Sequence, residues 1–131
     1  MISTDVPPGA AIEFSGVTKR FDADSPPALN GIDLRINGGE LVTFVGPSGC
    51  GKTTMLRLIN RLIEPTSGQV TVDGQNVSNV AVEQLRRNIG YVIQHVGLFP
   101  HRSVADNIAT VPKLLRWPKS EIRSRVEELA D

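Results

Sequence analysis

The residues with the clearest chemical potential form one stretch, Gly46-Pro47-Ser48-Gly49-Cys50-Gly51-Lys52-Thr53, which Thr54 follows. The spacing is G-x-x-x-x-G-K-T, the pattern of a P-loop that cradles phosphate groups. Glycines let backbone N–H groups approach phosphate closely, at the positive end of a helix dipole. Lys52 adds a positive charge directed at the β- and γ-phosphates, and the Thr53 hydroxyl is a ligand for Mg²⁺. The motif predicts a nucleoside triphosphate site; the alternative is a glycine-rich turn with an incidental lysine.

The segments on either side of this stretch have the patterns needed to position it. Five apolar or β-favouring residues, Leu41 to Val45, precede the loop and predict a buried strand at 40–45 that enters it. Apolar residues then recur at helical spacing from Lys52 to about Ile63, and Pro65 predicts the end of that helix, because the residue before a proline disfavours the helical conformation. A strand, a loop and a helix in this order are the context that a P-loop requires.

The rest of the chain predicts a mixture of short strands and helices. We expect, in order, strands at 11–14 and 17–21 broken at Ser15-Gly16, a loop at 22–27, a strand through 29–36, turns at 37–39 and 66–68, an alternating strand at 69–73 with a hairpin turn at Asp73-Gly74, a helix at 80–88, a buried strand at 89–93, a loop at 95–102, and helices at 104–115 and 119–131. Ser103 and Ser120 are candidate N-caps, and Pro112 predicts a break. Asp73 could instead be an acidic strand end that positions Mg²⁺, although the Asp-Gly pair favours the hairpin.

Size and composition restrict the function classes. The chain has 131 residues, enough for one domain, with 14 basic and 14 acidic residues and therefore no electrostatic sign of nucleic-acid binding. It contains no apolar run of membrane-spanning length, and residues 1–11 lack the features of a signal peptide, so we expect no direct membrane insertion. The single cysteine, Cys50, fits a reducing compartment. Its role is either that of a reactive thiol at a helix N-terminus or that of a small residue whose backbone faces phosphate.

Several motifs in order resemble the nucleotide-binding domain of ABC transporters. They are Val17-Thr18-Lys19-Arg20-Phe21, Leu29-Asn30-Gly31-Ile32-Asp33-Leu34, the stretch Gly46 to Thr54, Ser67-Gly68-Gln69-Val70, and Ile89-Gly90-Tyr91-Val92-Ile93-Gln94. The segment from Gln94 to His101 resembles, more narrowly, the ATPase subunits of importers for glycine betaine, choline and other quaternary amines. The resemblance implies an α/β P-loop ATPase core with an antiparallel β subdomain, with residues 1–11 as a flexible N-terminus and 12–131 as a partial ATP-binding domain.

The resemblance also implies roles for individual residues. Phe21 matches the aromatic position that stacks on adenine, and Ala28 matches a small residue that contacts the nucleotide. Gln94 matches the glutamine whose amide oxygen reaches Mg²⁺ and the attacking water. The implied ATP-binding residues are Phe21, Ala28, Gly46, Pro47, Ser48, Gly49, Cys50, Gly51, Lys52, Thr53 and Thr54; the implied catalytic residues are Lys52 and Gln94, and the implied Mg²⁺ ligands are Thr53 and Gln94.

Partners follow from the same resemblance. The segment from Gln94 to about Leu115 would face the membrane permease subunits, and a second ATPase subunit would pair with the first, on the cytoplasmic face of the membrane. Leu98, Phe99 and Trp117 either contribute to that interface or cover the chain's own helices. His95 and His101 have no Cys or acidic cluster nearby, so we interpret both as loop histidines rather than metal ligands.

The chain lacks motifs that the family uses for hydrolysis. It contains no L-S-G-G-Q signature and, after Gln94, no apolar strand ending in Asp-Glu; the pair Glu127-Glu128 is predicted on a solvated helix face. We therefore expect an N-terminal fragment that ends within the helical subdomain and is inactive by itself. The leading hypothesis is the ATPase of a quaternary-amine or osmoprotectant importer. The alternatives are a non-hydrolysing nucleotide-binding or interaction module, an importer ATPase for another small solute, and an ABC ATPase of repair or translation, which the neutral charge disfavours.

Overall fold

The computed structural model describes residues 9–95 and 97–130, and the chain divides into two compact units, Met1–Ile89 and Gly90–Asp131. The predicted flexible segment at 1–11 lies mostly outside the described residues, as do Val96 of the predicted loop and Asp131 of the last predicted helix. No helix among the described residues combines the length and the apolar character needed to cross a membrane.

A four-stranded antiparallel sheet forms the frame of the first unit, in the order β2-β1-β3-β4. Its strands are β1 (Ile12–Lys19), β2 (Leu29–Ile36), β3 (Ser67–Val72) and β4 (Gln75–Asn76). The central strand β1 pairs with β2 on one side and with β3 on the other. The sheet is the antiparallel β subdomain that the family resemblance implies.

The predicted break at Ser15-Gly16 is a bulge within one strand. The register of β1 shifts between Phe14 and Val17 against β2, and between Ser15 and Thr18 against β3. Gly16 has a φ of 57°, which suits glycine, and its N–H donates to Asp33 Oδ1 at 2.7 Å. The strand therefore continues through the break because the extra residue is accommodated locally.

The hairpin at Asp73-Gly74 is confirmed. The φ values of 49° and 75° at these residues are those of a type I′ turn, and Thr71 and Val72 pair across it with Asn76 and Gln75. The Asp73 carboxylate accepts a hydrogen bond from the Ala11 N–H at 2.8 Å, which ties it to the start of β1. The predicted turn at 66–68 is wrong, because Ser67 and Gly68 already belong to β3.

The helices are α1 (Lys52–Ile59), α2 (Val82–Arg87), α3 (Val104–Leu114) and α4 (Lys119–Ala130), with a 3₁₀ turn at Val77–Asn79. Helix α1 ends four residues before the predicted Ile63. Arg61 adopts a left-handed conformation with φ 54°, and the Leu62 N–H bonds back to the Arg57 carbonyl at 2.8 Å. This is a Schellman motif, which ends a helix before the proline can do so.

The hydrophobic core lies between the sheet and α1. It contains Phe14, Val17, Leu29, Leu58, Ile59, Val70, Val77 and Leu85. The side chain of Leu85 adds α2 to this core, as the spacing of the predicted helix at 80–88 requires, while Val82 is only half-buried. The antiparallel sheet thus fixes the orientation of the helix that follows the predicted phosphate loop.

The two predicted buried strands at 40–45 and 89–93 are wrong in this structure. Both segments are irregular, and Leu41 and Val92 are 96% and 95% exposed. A buried parallel strand obtains its hydrogen bonds from neighbouring strands. No strand within 9–95 and 97–130 pairs with either segment, so apolar sequence alone does not produce a ladder here.

In the second unit, α3 and α4 pack against each other. The Ser103 hydroxyl accepts from the Asp106 N–H at 3.1 Å, which confirms the predicted N-cap. Pro112 does not break α3, which continues to Leu114. Ser120 is not a cap, because α4 already begins at Lys119 and the Ile122 N–H bonds to the Pro118 carbonyl at 3.1 Å.

Candidate nucleotide-binding site

The glycine-rich stretch lies at the N-terminus of α1, where a phosphate-binding loop must lie. Gly51 is the N-cap with φ 99°, and the first intrahelical bond joins the Met55 N–H to the Gly51 carbonyl at 3.0 Å. The first-turn N–H groups of Lys52, Thr53 and Thr54 therefore have no carbonyl acceptor within the helix. Together with the helix dipole, they form an environment suited to an anion.

The side chain of Lys52 organises the loop from inside. Its ammonium donates to the Gly46 carbonyl at 2.7 Å and to the Pro47 carbonyl at 2.8 Å, and it lies 3.4 Å from Cys50 Sγ. The Cys50 N–H bonds to the Pro47 carbonyl at 3.2 Å, closing a turn through Ser48 and Gly49. The loop is thus curved around the positive charge that the motif assigns to phosphate binding.

A close backbone contact places this loop on the sheet. A Cβ atom added at Gly51 would lie 2.8 Å from both the Ala28 carbonyl oxygen and Leu29 Cδ2. Only glycine fits both this space and the positive φ. Because Leu29 is the first residue of β2 and is buried, the position of the loop follows from the sheet.

Phe21 is tied to the same end of the sheet as the loop. The Ala28 N–H donates to the Lys19 carbonyl at 2.8 Å, so the residue that contacts Gly51 also bonds to the end of β1, two residues before Phe21. The Phe21 ring is 60% exposed, and the Lys19 ammonium lies 5.2 Å from its centroid. The structure therefore brings together the loop, Ala28 and the segment that carries Phe21.

Sequence reasoning missed Lys19 and the segment that holds it. The Thr66 N–H bonds to the Thr18 carbonyl at 2.8 Å, and the Arg20 N–H donates to Thr66 Oγ1 at 2.9 Å. Nearby, Glu64 accepts from Arg61 and, at 3.2 Å, from the Ser78 hydroxyl. The available signal was spacing, because both residues lie in the strand predicted at 17–21 and residues two apart on a strand point to the same side.

The charges and hydrogen bonds near this segment stabilise the ionised form of Glu64. The hydrogen bond from Arg61 is the main reason that the pKa of Glu64 lies below its usual value, and burial opposes it. The Arg61 charge, the Ser78 hydroxyl and the charge of Lys19 lower the pKa of Glu64 further. Glu64 is therefore ionised at neutral pH, and its negative charge attracts the Lys19 ammonium.

Of the two predicted Mg²⁺ ligands, Thr53 lies at the start of the helix that follows the loop. Thr53 is exposed at the start of α1, where its hydroxyl offers the hard oxygen donor that Mg²⁺ prefers. Within 9–95 and 97–130, no three His, Cys, Asp or Glu residues gather as a metal cluster. The donor set fits a Mg²⁺ ion that keeps water and phosphate ligands, which is the usual way that this ion binds.

Gln94 belongs to the second unit and lies exposed in an irregular segment. Its predicted role at the nucleotide stays a prediction, as do the roles of the other site residues. The two interpretations of Cys50, which is exposed, also remain open. His95 and His101 lie in the same loop region, and the His101 ring packs edge-on against Phe99 with centroids 6.1 Å apart.

The segment after Gln94 contains an organised loop. The Asn107 side chain accepts from the Phe99 N–H at 2.7 Å and donates to the Ser103 carbonyl at 2.9 Å, which holds the loop against α3. The Arg102 guanidinium lies 4.6 Å from the Phe99 ring centroid. A mostly apolar groove of about 420 Å³ lies here, between the loop from Leu98 to Arg102 and one face of α3.

Comparison with known proteins identifies the family. Residues 29–131 match the family described as ABC transporter. The chain belongs to the ABC transporter family. It is 55% identical over 102 residues to the glycine betaine/carnitine/choline transport ATP-binding protein OpuCA of Bacillus subtilis (strain 168), covering 78% of this chain and 27% of that protein. It is 49% identical over 124 residues to the sulfate/thiosulfate import ATP-binding protein CysA 1 of Agrobacterium fabrum (strain C58 / ATCC 33970), covering 92% of this chain and 35% of that protein.

A solved ABC protein supports the same fold. A bacterial Atm1-family ABC exporter with ATP bound matches with a TM-score of 0.71 and 34% identity, over 80% of this chain and 19% of that chain. The predicted α/β class of the ABC ATPases is therefore confirmed. The chain spans about a third or less of the ABC transporter proteins it matches here.

Proposed function

We propose that residues 12–131 are part of an ABC ATP-binding domain that holds ATP and Mg²⁺ at Gly46–Thr54. The observation that carries this proposal is the geometry of the loop, with Lys52 inside it and, at the N-terminus of α1, first-turn N–H groups that have no acceptor within the helix. Family membership supports ATP in particular, since one matching relative is a transport ATP-binding protein and the matching exporter has ATP bound.

Each residue of the site has a definite task in this proposal. The N–H groups of Gly49 and of Gly51 to Thr54, together with the Lys52 ammonium, would bind the phosphate oxygens, while the Cys50 N–H closes the turn of the loop. Phe21 stacks on the base and Ala28 leaves room beside it, while Thr53 holds Mg²⁺. The bound Mg²⁺ would neutralise charge that develops during phosphoryl transfer. The Gln94 amide would orient water for attack on the phosphate and would serve as a further oxygen ligand for Mg²⁺.

We propose further that the protein drives import of a quaternary amine or osmoprotectant, from the cytoplasmic face of the membrane. The OpuCA relative, at 55% identity, supports that solute class. The segment from Gln94 to Leu115 would contact membrane permease subunits, and the apolar groove beside Phe99 supports a protein contact there. A second ATPase subunit would complete the assembly, and binding of ATP would favour the paired state.

Two other functions remain candidates. The 49% identity to a sulfate/thiosulfate import protein favours a different small solute as the second choice for transport. The absence of the signature and Asp-Glu motifs from this sequence favours a nucleotide-binding module without turnover, as the activity of the 131 residues alone.

Replacement of Lys52 tests the binding proposal. In Lys52→Ala, we expect the Kd for ATP·Mg²⁺, measured by calorimetry on the full chain, to rise about 10- to 100-fold, because a hydrogen bond to a charged group contributes about 1.5–3 kcal/mol. Lys119→Ala, the same change on α4, serves as the control and should leave the Kd unchanged. Equal ATP binding by Lys52→Ala and the wild type would contradict the proposed site.

Turnover and solute need separate measurements. Phosphate release by the wild type but not by Lys52→Ala would assign hydrolysis to the 131 residues and exclude the non-hydrolysing module. Uptake of labelled glycine betaine, with labelled sulfate as the comparison, in cells that express the protein would then decide between the two solute classes.

A further inference from the structure

The Phe21 ring has one face occupied and a large exposed area. The Lys19 ammonium lies over the ring at 5.2 Å from the centroid, within the distance of a cation–π interaction. The residue is nevertheless 60% exposed. An exposed aromatic ring gains little by burial, so the contact with Lys19 must contribute to its orientation.

The backbone at Lys19 is held by hydrogen bonds. Lys19 is the last residue of β1, and its carbonyl accepts the Ala28 N–H at 2.8 Å. On the other side, the backbone of Thr66 bonds to Thr18 at 2.8 Å and the Thr66 hydroxyl bonds to the Arg20 N–H at 2.9 Å. The strand end that carries Lys19 is therefore held on both sides, by the residue beside the P-loop and by the segment that follows α1.

The charge of Lys19 also acts on a carboxylate. The charge of Lys19 contributes to the lowered pKa of Glu64, whose carboxylate is bound mainly by Arg61. Glu64 stands two residues before Thr66, in the segment that bonds to the end of β1. The ammonium is thus attracted both by the face of the Phe21 ring and by a carboxylate fixed to the C-terminal side of α1.

We propose that Lys19 is a positioning residue for base recognition. Its ammonium contacts one face of the Phe21 ring and so orients the ring, with the opposite face open for stacking with the adenine of the bound nucleotide. This inference rests on the proposed function, because it concerns the base end of the same ATP site. Lys19 does not contact the phosphates in this role. Its effect therefore depends on the presence of a base and on the presence of the aromatic ring.

The test compares ATP with inorganic tripolyphosphate, which has the phosphates but no base. In Lys19→Met, we expect the Kd for ATP·Mg²⁺ to rise about two- to fivefold, the range of an exposed cation–π contact, while the Kd for tripolyphosphate stays unchanged. Lys19→Arg keeps a cation over the ring and should bind ATP as the wild type does. Lys119→Met is the matched change in the second unit and should alter neither Kd.

A double-mutant cycle separates positioning from general charge. Phe21→Leu should weaken ATP binding by about fivefold or more through loss of stacking, again without effect on tripolyphosphate. In the Phe21→Leu background, Lys19→Met should have no further effect on ATP. Thermal melting of each variant, followed by circular dichroism, checks that the fold is retained.

The outcomes are distinguishable. Weaker binding of tripolyphosphate by Lys19→Met, or a Lys19 effect that persists without Phe21, would show that Lys19 acts as a plain positive charge and would overturn the inference. Equal ATP affinity of Lys19→Met and the wild type would also overturn it. If the wild type bound neither ATP nor tripolyphosphate, the proposed function itself would fail.

Discussion

The contact between Gly51 and Ala28 allows a quantitative prediction about the glycine-rich loop. Gly49 and Gly51 both have positive φ values, 82° and 99°, but they differ in their surroundings. A Cβ at Gly49 would meet nothing within 4 Å, whereas one at Gly51 would lie 2.8 Å from the Ala28 carbonyl oxygen and 2.8 Å from Leu29 Cδ2. Alanine at the two sites therefore has the same backbone problem but a different steric one.

The magnitudes follow from these two terms. Gly49→Ala should lower the free energy of unfolding of the first unit by about 1–2 kcal/mol, the cost of a left-handed backbone for an alanine. Gly51→Ala has that cost plus about 1–3 kcal/mol from crowding against β2, or about 2–5 kcal/mol in total. The gain from a less flexible unfolded chain is the same for both variants and cancels in their difference.

Amide hydrogen exchange on the full chain measures this difference in the correct unit. The Phe14 and Val17 amides lie in the central strand, and their side chains are fully buried, so they report on opening of the sheet. We expect their exchange in Gly51→Ala to be about 5- to 150-fold faster than in Gly49→Ala. Equal exchange in the two variants would refute the argument that the close approach of Ala28 positions the loop.

Two further predictions concern the core and the second unit. Leu58 is 0% exposed, so Leu58→Ala should lower the free energy of unfolding by about 2–5 kcal/mol in urea titrations. Leu56 is 43% exposed on the same helix, and Leu56→Ala should lower it by less than about 1 kcal/mol. Similar losses in the two variants would contradict the packing of α1 on the sheet. The hydrogen bond from Lys113, followed by that from Ser103, holds the pKa of Asp106 below its usual value. The folded state therefore favours the ionised form, and its contribution to α3 is present above the unfolded pKa of about 4 and is lost as pH falls through the lower folded pKa. An NMR titration should show a raised pKa of Asp106 in Lys113→Met, and an unchanged value would contradict this assignment.

Much of the candidate site could be predicted because its chemistry is local. The P-loop depends on residues within nine positions of one another, and the bond from the Asp106 N–H to the Ser103 hydroxyl spans three. The Asp73-Gly74 hairpin likewise depends on two neighbouring residues that tolerate positive φ. In each case the residue types set the backbone conformation, and the structure agrees with the pattern.

The ends of elements were less predictable, because they depend on backbone conformations that the residue types do not specify. Pro65 suggested where α1 ends, but the helix stops at Ile59 because Arg61 enters the left-handed region and Leu62 caps the Arg57 carbonyl. Arginine has no particular preference for that conformation, so composition gave no sign of it. The same Schellman arrangement closes α3, where Arg116 has φ 57° and the Trp117 N–H bonds to the Pro112 carbonyl at 3.0 Å.

By itself the sequence determined the glycine-rich loop, the antiparallel strands and the helix that follows the loop, since these depend on nearby residues and on hydrophobic periodicity. Only the tertiary structure decided that 40–45 and 89–93 form no ladder among the described residues, because a strand needs partners that its own sequence does not specify. It also decided that Gly51 packs against Ala28 and that Lys19 lies over Phe21. The contact at Gly51 joins residues far apart in the chain, and the one at Lys19 depends on how the end of β1 is held, so both follow from the sheet rather than from any local pattern.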